Sequence, residues 1–291
     1  MDIQSELPEA PQSPTGINAV VDNFDIDLFR AKVHFDLRHS RLSSDNWEKI
    51  VADATHSKWV KGSVDLADVV NSDAKVSISV KTRKVKPTIL VRKPSRDFIS
   101  DPEAYHHGGI KFCEDDLDNM HTVSGRCSIP GLDEQNSSKE DIGAATMKRY
   151  HDFENASLTK FGCDDTLDIV IVHGKSCDKK RYLLRVMFFN HKLNDIVEWQ
   201  DCKFEGEKSK YKGHRSMILG NDANGPHIAR IGNLGRQQTC MIRFYRKEEA
   251  IRVLDLSVPM PFQEEFFYDS EMELMAQEQF DFEKELLELQ E

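Results

Sequence analysis

The feature that most limits what this chain can fold into is a strict alternation. Val76, Ile78 and Val80 alternate with Ser77, Ser79 and Lys81. A period of two belongs to a strand with one buried face. Asn71–Ala74 just before it is turn-forming, because Asn and Asp bond their own backbone and tolerate tight conformations. With Val64–Val70 as first strand and Lys75–Val85 as second, the segment reads as a β-hairpin. Ahead of it, Trp47, Ile50, Val51 and Ala54 recur at helical spacing within Asp45–Thr55, with Ser44 or Asp45 as cap. The unit is helix, then hairpin.

Further along, residues 97–138 are rich in Asp, Gly, Pro and Ser and read as an irregular excursion. Ser138–Phe161 reads as a second helix, capped by Ser137 or Ser138, with Ala145, Met147, Tyr150 and Phe153 along one side. The apolar runs Leu167–Val172 and Tyr182–Phe189 read as buried strands, and Met241–Tyr245 and Ile251–Val258 as two more. The fold class is therefore α/β (α+β): a mixed central sheet flanked by helices. Residues 1–16, with three prolines and Gly16 among polar residues, read as a disordered leader, and 17–262 as the folded domain. Residues 263–291 read as an acidic amphipathic helix, docked on the body, pairing with a second copy or recruiting another protein.

The net charge of −11 excludes a globally basic nucleic-acid binder. The charge is uneven, however. Lys75–Arg96 is basic, with only Asp73 opposing it, and Lys203–Arg215 and Arg230–Arg252 are further basic stretches. The six cysteines show no C-x-x-C spacing, and no signal peptide leads the chain, so free thiols in a cytoplasmic setting are expected. No apolar run approaches the roughly 20 residues of a spanning helix, so no membrane is expected.

Hydrolysis of a phosphodiester with Mg²⁺ needs hard oxygen ligands and benefits from a cation near the developing charge. Glu48 on the first helix, Asp65 or Asp68 on the first hairpin strand, and Ser79 and Lys81 on the second supply such groups. Ser79 and Lys81 share a face, because strand side chains alternate. With the turn centred near Ser72–Asp73, Asp65 falls opposite Ser79–Lys81 and Asp68 nearer Ser77. That favours Asp65 unless the register shifts.

On these residues, Asn46–Arg83 resembles the PD-(D/E)XK nuclease core, in particular that of type II restriction endonucleases in their S-x-K form. The helix Ser138–Phe161 and strand Leu167–Val172 are similar to the continuation of that core. Two departures stand out: Val64 rather than Pro precedes Asp65, and Ser79 replaces an acid, so a ligand must come from elsewhere, Glu48 first. The resemblance implies a Mg²⁺-dependent, site-specific deoxyribonuclease acting on double-stranded DNA as a homodimer. Asp65, Glu48 and Asp68 would be its metal ligands, and Asp65, Ser79, Lys81 and Glu48 its catalytic set. Arg83, Lys84, Lys86, Lys210 and Arg215 would contact DNA, Arg215 as the guanine reader. The rival expectation is a non-enzymatic nucleic-acid-binding or interaction protein of viral or mobile-element origin.

Two other groupings are weaker. His106, His107, Cys113, His121 and Cys127 match no common zinc spacing and read as a polar loop. Gly220–Gly235 lacks the strand–Gly–Lys–helix order of a phosphate loop and reads as connecting turns.

Overall fold

The computed structural model describes residues 15–39, 42–60, 66–84, 119–126, 129–176, 180–203, 212–232 and 239–261. The leader up to residue 14, the tail from 262, residues 97–118 of the expected excursion, and His106, His107, Cys113 and Cys127 lie outside the described residues, whereas Asn119–Arg126, expected to be irregular and containing His121, is a paired strand.

Three helices come first: α1 (Ile17–Asp22), α2 (Ile26–His39) and α3 (Ser44–Ala54). The expected α3 begins one residue earlier, because Ser43 is the N-cap and its hydroxyl accepts from the Asn46 amide. The other two follow a segment read only as the start of the folded domain. The strands β1 (Lys58–Trp59), β2 (Val69–Asn71) and β3 (Val76–Lys84) follow. Next come β4 (Asn119–Arg126), α4 (Lys139–Phe161), β5 (Asp165–Lys175) and β6 (Arg181–Asn190). The chain continues through β7 (Glu198–Lys203), β8 (Arg215–Asp222), β9 (Gly225–Ile231), β10 (Cys240–Arg246) and β11 (Arg252–Pro259).

Two sheets result. The first is mixed, in the order β1-β2-β3-β5-β6-β11, with β3 parallel to β5 and the other neighbours antiparallel. Parallel neighbours need a long crossover, and α4 lies within it. That helix is held at both ends: the Ser138 hydroxyl accepts from the Asp141 amide, and Gly162 closes it at φ +65°. The second sheet is antiparallel, in the order β4-β10-β9-β8-β7. Gly220–Gly235 is thus not only turns. Its first half is the β8–β9 hairpin, bent at Asp222–Gly225, where Gly225 takes φ +119°.

The alternation along β5 divides the core. Leu167, Ile169 and Ile171 join Val76, Ile78 and Val80 against Phe29, Trp47, Ile50 and Val51 of the N-terminal helices. Each such side chain contributes about 1.5–3 kcal/mol when fully buried. On the opposite face, Val170 and Val172 pack with Met187, Phe189 and Tyr245 of β10. Burial on both faces explains the nearly unbroken apolar run of β5.

Helix α4 lies between the two sheets. Its Ser157 hydroxyl meets that of Ser77 on β3 at 3.2 Å. At its other end Gly143 packs on the Trp199 indole of β7, and Gly220 of β8 packs on the same ring. The buried side of α4 is Ile142, Gly143, Thr146, Tyr150, Glu154 and Ser157. Of the expected Ala145–Met147–Tyr150–Phe153 side, Tyr150 is buried and Met147 and Phe153 pack partly buried against its cluster, while the face turned to both sheets adds Ile142, Gly143, Thr146, Glu154 and Ser157. Cys163 and Cys202 carry free thiols. No helix among the described residues is long and apolar enough to cross a membrane.

Candidate active site

The hairpin register decides which carboxylate meets Lys81. Val69 pairs with Ile78, Val70 with Ser77 and Asn71 with Val76. The turn is therefore centred between Asp73 and Ala74, closed by the Asn71 side chain accepting from the Ala74 amide and by Lys75 at φ +54°. This corrects the register expected from a Ser72–Asp73 centre. The Asp68 amide donates to the Ile78 carbonyl and its carboxylate accepts from the Val80 amide, so Asp68 lies along Ile78–Val80 rather than nearer Ser77. Asp65 lies outside the described residues.

Asp68 immediately precedes β2, beside the stretch of β3 that runs on past the pairing. Its Oδ2 accepts from the Val80 amide at 2.7 Å, taking the place of a missing strand carbonyl. The Lys81 Nζ is 3.6 Å from the same oxygen, and both side chains are only about one-fifth exposed (23% and 21%). Glu48, from α3, accepts from Trp59 Nε1 at 2.9 Å. Burial pushes the Asp68 carboxyl above its ordinary range, and the Asp168 charge adds to this. Lys81 and the Val80 amide pull it back only in part. Burial likewise raises Glu48, opposed by the Trp59 hydrogen bond, with Asp68 and Asp45 adding to the rise and Lys81 lowering it. Glu48 thus lies in the field of Asp68 and Lys81, and Asp68 in direct contact with Lys81. Two half-buried carboxylates in the field of a single ammonium favour a further cation, and hard oxygens suit Mg²⁺.

Ser79 is fully buried (0% exposed), and its hydroxyl has no hydrogen-bond partner among the described residues. On β5 its registered neighbour is Asp168, a carboxylate the sequence reading passed over. Asp168 Oδ2 accepts from His191 Nδ1 at 2.8 Å and from the Tyr245 hydroxyl at 2.7 Å. The Tyr150 ring stacks on His191 at 4.4 Å, and its hydroxyl donates to the His191 carbonyl at 2.9 Å. Burial alone would raise Asp168; His191, Tyr245 and Lys81 outweigh it and hold the carboxyl below its ordinary range. The available signal was a lone Asp inside an apolar run.

The expected DNA contacts divide differently. Arg83 and Lys84 lie at the end of β3, with Lys84 exposed. Lys86 and Lys210 lie outside the described residues. Arg215 is engaged within the protein: its guanidinium pairs with Asp201 at 2.6 Å and donates to the Glu134 and Ser137 carbonyls. Reading a guanine edge would require it to give up those bonds.

A second cluster lies on the β8–β10 side. Asp222, His227 and Glu249 bring ligand atoms within 4.8 Å of one another. Arg246, however, pairs with both carboxylates, and Asn194 donates to Asp222 at 2.8 Å. Burial would raise Asp222, but Arg246 and Asn194 hold its carboxyl far below the usual range. A guanidinium already provides the positive charge a metal would bring, which makes this cluster an ion-paired brace. No protein-family model matches the chain, and neither a curated protein nor a solved structure matches it.

Proposed function

We propose that this chain is a Mg²⁺-dependent endonuclease of the PD-(D/E)XK type, cutting double-stranded DNA at the Glu48–Asp68–Lys81 cluster. The observation that carries the reading is the 3.6 Å contact between Lys81 and a largely buried Asp68, with Glu48 in the same field. The order of helix, hairpin, crossover helix and parallel strand around the cluster supports it too.

Asp68 and Glu48 are the residues that would hold the ion, and Asp68 takes the role first given to Asp65. When bound, Mg²⁺ polarises a phosphoryl oxygen and acidifies a water. The protein's part is positioning. The Val80 amide fixes the Asp68 carboxylate, and Trp59 fixes Glu48. Lys81 sits where its ammonium stabilises the negative charge that grows on a phosphodiester under attack. Arg83, one side-chain repeat beyond Lys81 on the same face of β3, adds positive charge along the path of a backbone. Two copies related by a twofold axis would each cut one strand of a palindromic site.

The test is incubation of supercoiled plasmid or phage DNA with the full chain, with and without Mg²⁺. Mg²⁺-dependent nicking or linearisation that Lys81→Ala abolishes, with DNA binding retained, supports the reading. Binding without nicking favours the non-enzymatic alternative.

A further inference from the structure

Nearly all of the net charge of −11 belongs to one segment. Residues 263–291 hold eleven carboxylates and a single lysine, Lys284. The segment lies outside the described residues, but the fold fixes where it starts. β11 ends at Pro259, in register with Arg181 at the start of β6, and the Met260 amide donates to the Lys180 carbonyl at 2.9 Å. β6 is antiparallel to both β5 and β11, and β5 is parallel to β3. The ends of β3, β5 and β11 and the start of β6 therefore share one end of the first sheet.

That end is basic. It carries Lys84 of β3, Lys175 of β5, and Lys180 and Arg181 at the start of β6, all exposed. Helix α2 adds to it. Arg30 donates to the Ser257 carbonyl at 3.4 Å, and His34 Nδ1 lies 3.2 Å from the Pro259 carbonyl oxygen, so α2 runs in the same direction as β11. Its last turn, with Arg38 and His39, lies at the same end. Phe35, 59% exposed, sits beside His39 there, with ring centroids 4.6 Å apart. Two carboxylates on these elements are already engaged: Asp255 pairs with Arg185 at 2.6 Å, and Asp36 accepts from the Asn46 side-chain amide at 3.0 Å. β11 lies three strand spacings from β3, about 14 Å at about 4.8 Å each. Five residues of extended chain reach about 16 Å, so the acids from Glu264 onward can span to Lys84.

We propose that the acidic stretch Glu264–Glu273 of the same chain docks on this basic end of the first sheet and shields it, so that a DNA backbone must displace it. The displacement rests on the nuclease reading, whereas the docking does not. The two surfaces are opposite in charge, and Phe266 and Phe267 supply apolar partners for Phe35. The stretch is tethered where it binds, so its effective concentration is on the order of millimolar, and weak contacts are populated. Lys84 adjoins Arg83 on β3, so a shielded end narrows the approach of DNA to Lys81.

The experiment is zero-length carbodiimide cross-linking of the full chain at low salt, mixed with isotope-labelled full chain and read by peptide mass spectrometry. Expected are within-chain links from the carboxylates of Glu264–Glu273 to Lys84, Lys175 or Lys180. Salt at about 1 M should abolish them, and duplex DNA in Ca²⁺ should displace them. Links between chains, links to other lysines in their place, or no links overturn the proposal and leave the nuclease reading to its plasmid assay. A second measurement is duplex affinity in Ca²⁺. One protein combines Glu264→Gln, Glu265→Gln and Glu271→Gln. Its control combines Glu140→Gln, Glu198→Gln and Glu248→Gln, three exposed acids on other elements. The first should bind at least about tenfold more tightly than the wild type, and the control should change by less than about threefold. Equal gains in the two proteins overturn the shielding. Within-chain links with no duplex binding by any of the proteins uphold the docking and remove the nuclease reading.

Discussion

His173 makes acid stability a quantitative test of the packing. It lies on β5, 5% exposed, with its ring centroid 4.7 Å from that of Trp47. Its Nδ1 is 2.7 Å from the Tyr182 hydroxyl. Burial, helped by the Lys84 charge, lowers its pKa from 6.5 to about 4, and burial raises Tyr182 to about 12. The tyrosine therefore donates to a neutral imidazole. Between those two histidine values the unfolded chain binds a proton that the folded chain refuses, so stability falls as the pH drops through this window. With about 1.4 kcal/mol for each pH unit of difference, His173 accounts for about 2 kcal/mol of lost stability between pH 7 and pH 5. His227, lowered to about 4 by burial and by Arg243, pulls the same way. Urea unfolding of the wild type and His173→Gln at both pH values is the assay. The variant, less stable at pH 7 through lost packing on Trp47, should lose about 2 kcal/mol less than the wild type on acidification. Equal losses in the two proteins would refute a buried, neutral His173.

Three further outcomes follow from particular contacts. A Cβ on Gly143 would lie 2.3 Å from Trp199 Cε2, so Gly143→Ala should lower thermal stability by about 1–3 kcal/mol. That outweighs the gain of about 1 kcal/mol in helix propensity. Arg246→Met strands the Asp222 and Glu249 carboxylates and should cost about 3–5 kcal/mol in chemical denaturation. Because Arg246 supplies the charge there, EDTA should leave unchanged the melting temperature of Asp68→Asn, which lacks the proposed Mg²⁺ site. Asp68→Asn removes a charge that burial disfavours, so the metal-free variant should melt above the wild type at neutral pH. Excess Mg²⁺ should raise the melting temperature of the wild type and not that of the variant.

The residues best read from sequence were those whose local chemistry and tertiary setting agree. The α3 periodicity, the alternation of β3, the Ser138 cap of α4, and the apolar runs of β5 and β6 all became elements near the expected bounds. The helix α2 escaped because it buries only Phe29 and Val33, too few to mark a face. The β7 strand is mostly exposed or half-buried, and β8–β9 hides its pairing behind glycines and asparagines that look like turns. At the candidate site, Glu48, Ser79 and Lys81 were legible through residue type and spacing. The sequence favoured Asp65 over Asp68 through a register that moves with the turn centre, and Lys75 at positive φ is not visible in spacing; Asp65 itself lies outside the described residues. Asp168, His191 and Tyr245 come from three separated segments, and only the parallel β3–β5 pairing and the approach of β10 bring them together.

The proposed cleavage requires Asp68 and Lys81 to serve one phosphodiester-cutting centre. Cleavage of duplex DNA by Asp68→Asn in Mg²⁺, beside its DNA binding in Ca²⁺, tests this most directly. Loss of cutting with binding retained is the predicted result. Cutting at the wild-type rate would contradict the assignment of this site.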